Sequence, residues 1–89
     1  MNKYRVVHYT AVTQNDGGDW VVLDNKLGNT IDLSDKSTPK DICKFLKSET
    51  ILDSVDLRKV FISDLNSDII EVKEKKGMKP ICRLRRERF

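Results

Sequence analysis

Lys75, Lys76, Lys79, Arg83, Arg85, Arg86 and Arg88 crowd into residues 75–88. Ammonium and guanidinium groups at that density are suited to phosphate, lysine as a point charge and arginine as a planar fork of donors. Arg83 and Arg85 are two residues apart, which places them on one face of a strand, with Cys82, Leu84 and Arg86 on the other. The apolar Cys82 and Leu84 read as inward, so Arg83 and Arg85 turn outward. Lysines at a hairpin tip and arginines along its second strand would then form one basic ridge. Its expected partners are nucleic acid, held through phosphates, or an acidic protein. The chain has no aromatic pair at RRM spacing and no helix-turn-helix, KH or zinc-finger pattern, so contact with nucleic acid should be directed at its backbone. Two plainer uses of the same charge are an edge strand guarded against aggregation and a solvated basic terminus.

The other reactive residue types point to structure. Asp64, Asn66 and Asp68 open like a calcium loop, but the glycine required at its sixth position is Ile69 and the glutamate required at its twelfth is Lys75. Asx-turn chemistry explains them without a metal. Asp16, Gly17, Gly18 and Asp19 lack the strand-to-helix setting of a phosphate loop and read as a hairpin tip. His8, the one histidine, shares a strand face with Tyr4, Val6 and Thr10 and reads as half-buried and structural. Cys43 and Cys82 have neither metal-ligand spacing nor a nucleophile signature, and read as reduced, packed thiols. The expectation is a non-enzymatic chain with no cofactor and no metal.

The net charge of +3 hides an uneven distribution: residues 69–89 carry eight basic and three acidic side chains, a net +5, against −2 for the remainder. Such asymmetry produces a local positive field that the total understates. Eighty-nine residues make a single domain, 1–89, which hides only about 60–65% of its unfolded surface and has little room for an elaborate active site. At 38% hydrophobic and 35% charged the composition is globular but polar, and the apolar residues cluster in patterns rather than scatter. No apolar run is long enough to span a bilayer and the N-terminal residues do not lead into a signal-peptide core, so the expected compartment is the cytoplasm.

Positioning the basic residues falls to β-rich segments on either side of one helix. Residues 4–12, 20–24 and 30–33 are rich in β-branched and aromatic types and predict three strands, with Gly28 allowing a turn within 25–29. Thr38, Pro39 and Asp41 mark a helix start: a capping residue, a proline in the first turn and an acid at the positive end of the dipole. Ile42, Phe45 and Leu46 give the helix an apolar face, and its end beyond Lys47 is blurred. Residues 57–62, 69–75 and 79–86 predict three more strands. Pro80 cannot donate to a ladder, which puts the last strand at a sheet edge or makes Pro80 its first residue. The expected fold is α+β: a small, mostly antiparallel curled sheet in the order βββ-α-βββ packed on one short amphipathic helix, with a small barrel as the alternative. Its expected core is Trp20, Val22, Ile31, Ile42, Phe45, Leu46, Val60, Ile62, Ile70, Val72 and Leu84.

The functional expectation is a binding module that contacts a polyanion, nucleic acid, through the basic C-terminal hairpin. The alternative is a small protein-interaction or regulatory factor, of the kind phages and mobile elements carry, acting through a sheet edge or surface patch. An exposed edge on the last strand would also permit a homodimer by strand addition.

Overall fold

Period-two apolar patterning, one helix start signal and short turn-rich connections resolve into a single sheet with one helix against it. In a computed structural model, which describes residues 2–88, the elements are β1 (Asn2–Gln14), β2 (Trp20–Leu33), α1 (Pro39–Ser48), β3 (Val60–Ile62), β4 (Ile69–Glu74) and β5 (Pro80–Arg86). The sheet order is β2-β1-β5-β4-β3, and every neighbouring pair is antiparallel. β2 and β3 remain its edges, so the sheet does not close into a barrel.

The helix begins where Thr38, Pro39 and Asp41 place it. The Asp41 carboxylate accepts hydrogen bonds from the Thr38 N–H at 2.9 Å and from its hydroxyl at 3.2 Å. Those bonds, the backbone one first, hold the Asp41 carboxyl below its ordinary pKa. Ile42, Cys43 and Leu46 are buried and meet Tyr4, Val6, Leu33, Val60, Ile70, Val72, Cys82 and Leu84 in the core. The last turn is pinned to β2, because the Glu49 carboxylate accepts the Asn29 backbone N–H at 2.8 Å and its side-chain amide at 2.9 Å. One face of the sheet is thereby sealed and the other left open, an arrangement antiparallel sheets tolerate.

Three expectations need correction. Residues 25–29 do not turn: β2 runs on as one strand, with register shifts against β1. Positive φ among the glycines belongs to Gly18 and Gly77. Gly28 is needed for space instead, since a Cβ there would stand 2.5 Å from Val6 Cγ1 and 3.0 Å from Glu49 Oε1. The order is therefore ββ-α-βββ. The strand expected over 57–62 shrinks to Val60–Ile62, because Asp56 draws Arg58 into a local turn, accepting its backbone N–H at 3.0 Å and pairing with its guanidinium at 3.1 Å. The last strand is not at an edge: β5 lies between β1 and β4, and Pro80 is tolerated as its first residue. An edge-guarding role and a dimer through a free β5 edge are excluded by that position.

The core is shifted toward the start of β1. Tyr4, Val6 and Leu33 belong to it, whereas Trp20 and Val22 do not; Ile31, Phe45 and Ile62 pack partly buried against it. The cause is length. β1 pairs with β5 only from Tyr4 to His8, so the far ends of the β1–β2 hairpin run past the strands that would have buried Trp20. Cys43 and Cys82 are free and fully buried. Burial pushes the Cys43 thiol up and the Cys82 thiol up to about 12, so neither supplies a thiolate at neutral pH.

Candidate polyanion-binding surface

The basic residues divide into three groups according to where β5 and its turn carry them. Lys75, Lys76 and Lys79 are exposed in the β4–β5 connection. Gly77 and Met78 both take positive φ there, 78° and 56°, conformations that close a tight connection and favour glycine at the first of the two. The loop is braced at three points: Glu74 N–H to Lys79 O at 2.9 Å, Lys75 N–H to Lys59 O at 3.0 Å, and the Trp20 indole N–H to Gly77 O at 2.8 Å. Trp20 thus works as a strut between the two hairpin ends.

Arg83 and Arg85 form the second group. Cys82 and Leu84 point into the core with no exposed surface, and alternation turns Arg83 and Arg85 to the helix-free face. Arg83 lies in register with Val7 and Glu71, and Arg85 with Arg5 and Ile69. Tyr9 shares this face beside Arg83; burial first, then the Glu71 charge, raises its pKa. Val7 is only 2% exposed although no helix covers it, so the long side chains around it roof this part of the sheet. Phe61 and Ile69 add exposed apolar surface toward β3.

Arg86 and Arg88 form the third group, and both are engaged. The Arg86 guanidinium lies 5.5 Å from the Tyr4 ring centroid, donates to the Tyr4 hydroxyl at 3.0 Å and to Asn66 O at 3.2 Å, and pairs with Asp68 at 3.0 Å. Its pKa is raised, first by the Tyr4 hydrogen bond. Arg88 pairs with the other Asp68 oxygen, and the Tyr4 hydroxyl donates to Ser67 O at 2.7 Å. These bonds fasten the end of β5 to the β3–β4 connection. Asp64 belongs to the same turn, its carboxylate accepting the Asn66 N–H at 2.9 Å. Among the described residues no group of three or more His, Cys, Asp or Glu side chains is placed to hold a metal.

Arg5 was not singled out from the sequence, yet it stands on the open face beside Arg85. It is committed locally, pairing with Glu87 and donating to Gly28 O at 2.9 Å. The signal for it and for Tyr9 was available, because setting Tyr4, Val6 and His8 on one face of β1 sends Arg5, Val7 and Tyr9 to the other. His8 is half-buried opposite Cys82. Desolvation first, then the nearby Lys26 charge, lowers its pKa below 6.5, so it is neutral near pH 7. A cleft of about 540 Å³ opens beside the lysine-bearing tip, with Leu52, Val60 and Ile81 among its apolar lining and Lys59, Lys75 and Lys76 among its charged lining.

No protein-family model matches the sequence, and comparison with curated proteins and with solved structures finds no match. No helix among the described residues is long and apolar enough to cross a membrane.

Proposed function

We propose that this chain is a binding module for a polyanion, nucleic acid, which it contacts through Lys75, Lys76 and Lys79 at the β4–β5 tip and Arg83 and Arg85 on the helix-free face. Arg86 and Arg88, part of the same basic run, serve as internal fasteners and contribute field rather than contact. The observation that carries this reading is the division of ion pairs. Among the described residues, Asp68 takes both Arg86 and Arg88, while none of the five proposed contact residues lies in a salt bridge. A strand that spends two cations on fastening leaves others free of ion pairs for an external anion: Lys75, Lys76, Lys79 and Arg85 are exposed, and half-buried Arg83 has an Nε with no hydrogen-bond partner among the described residues.

The open face also bears Leu27, Phe61 and Ile69, which favours a second reading, an acidic protein partner docking on the sheet. Salt dependence separates the two. Fluorescence anisotropy with random single-stranded DNA, double-stranded DNA and RNA should give binding whose log K falls with log salt at a slope of about −3 to −4 on single strands if five phosphates are neutralised. Absence of binding to all three nucleic acids at low salt overturns the nucleic-acid reading and leaves the protein partner.

A further inference from the structure

The two sheet edges are unlike. β3 is three residues long, too short to template another strand, whereas β2 is fourteen. An edge of that length with apolar side chains exposed on it is a ready site for strand pairing. Glu49 occupies the Asn29 N–H, which closes the edge at that point and leaves residues 20–27 open. On this stretch Leu23 is 65% and Leu27 60% exposed. Leu27 is in register with Val7 and Asn25 with Tyr9, so both lie on the open face; Leu23 stands where the register shifts between Asp24 and Val22. Asp24 and Lys26 face the other way: Asp24 accepts the Thr10 hydroxyl at 2.8 Å, and Lys26 is in register with His8.

We propose that the β2 edge pairs with the β2 edge of a second copy of this chain, antiparallel about a two-fold axis at Asn25, joining two sheets into one. An isologous contact must be self-complementary, and this sequence is so in one register. With Asn25 opposite itself, Leu23 falls level with Leu27 and Asp24 level with Lys26, each pair occurring twice by symmetry. Moving the axis one residue either way sets Asp24 against Asp24 or Lys26 against Lys26, which is repulsive. The charges therefore select the register that also brings the exposed leucines level with one another. This inference is independent of the polyanion reading.

Light scattering or sedimentation on the full chain tests it. Wild type should approach twice its 10.3 kDa monomer mass as concentration rises. Lys26→Asp, an exposed position, should return the mass to that of the monomer. Asp24→Lys combined with Lys26→Asp restores opposite charges in the same register and should restore the dimer. Asn25→Cys should form an interchain disulfide under mild oxidation, because residues opposite one another in an antiparallel pair have Cα atoms about 4.5–5.5 Å apart. A wild type that remains monomeric at its highest soluble concentration overturns the proposal. A dimer indifferent to Lys26→Asp, or a combined variant that is folded by circular dichroism yet monomeric, also overturns it.

Discussion

Arg83 and Arg85 sit five residues or fewer from Arg86 and Arg88, yet the two pairs occupy different physical situations. Arg83 and Arg85 lie on the sheet face that no helix covers, and neither has a carboxylate within ion-pair distance among the described residues. Arg86 and Arg88 share one carboxylate, Asp68, and Arg86 also spans the Tyr4 ring and hydroxyl. The difference comes from strand parity and from where β5 ends. Residues facing out from the middle of β5 meet the helix-free face, Arg83 half-buried and Arg85 exposed, whereas those at its end meet the 65–68 turn. Charge density in a sequence is thus a poor guide to charge availability, since local geometry decides which cations are already spent.

Substitutions on β5 and its neighbours test this contrast. The largest effect should come from the inward face: Leu84→Ala removes a fully buried side chain and should cost about 2–4 kcal/mol in denaturant unfolding, while Arg85→Ala should stay within about 0.5 kcal/mol. Equal costs would mean that the two faces of β5 are not distinct. Next, Gly28→Ala forces a methyl group against Val6 and Glu49 and should cost about 1–3 kcal/mol by overpacking. It should also disturb Arg5, whose guanidinium donates to Gly28 O, and with it the β2 side of the open face. Arg86→Ala should lower the melting temperature more than Arg85→Ala does, since only Arg86 ties β5 to Tyr4, Asn66 and Asp68.

The smallest expected effect concerns pH. His8 has its folded-state pKa lowered below 6.5, so the unfolded chain binds the proton more readily. Its contribution to stability is complete above pH 6.5 and is lost as pH falls through the lowered value. His8→Gln should therefore flatten the decline in melting temperature just below pH 6.5. An unchanged profile would show that some other group sets it.

Parity along the last strand was legible in the sequence, and with it the inward Cys82 and Leu84 and the outward Arg83 and Arg85. The helix start was legible for the same reason, because Thr38, Pro39 and Asp41 act within one turn. What failed depended on contacts distant in sequence. Gly28 looked like a turn because glycine permits one, and only the approach of Val6 and Glu49 shows why it interrupts an unbroken strand. Pro80 left open whether β5 was an edge, and the pairing of β1 with β5 decides it. The commitment of Arg86 and Arg88 could not be read from spacing, since Asp68 is about twenty residues distant and reaches them only once β4 lies beside β5.

The most direct test pairs two double variants, Arg83→Glu with Arg85→Glu and Arg86→Gln with Arg88→Gln, each measured for thermal unfolding and for anisotropy on random single-stranded DNA and RNA. The first pair should abolish binding at low salt in protein that circular dichroism shows to be folded, although Arg83→Glu, set opposite Glu71, should itself lower the melting temperature somewhat. The second should lower the melting temperature yet retain the salt slope of whatever fraction remains folded. If the second pair abolishes binding in a fully folded protein while the first leaves it intact, Arg86 and Arg88 are the contact residues and the division drawn here between fastening and binding cations is wrong.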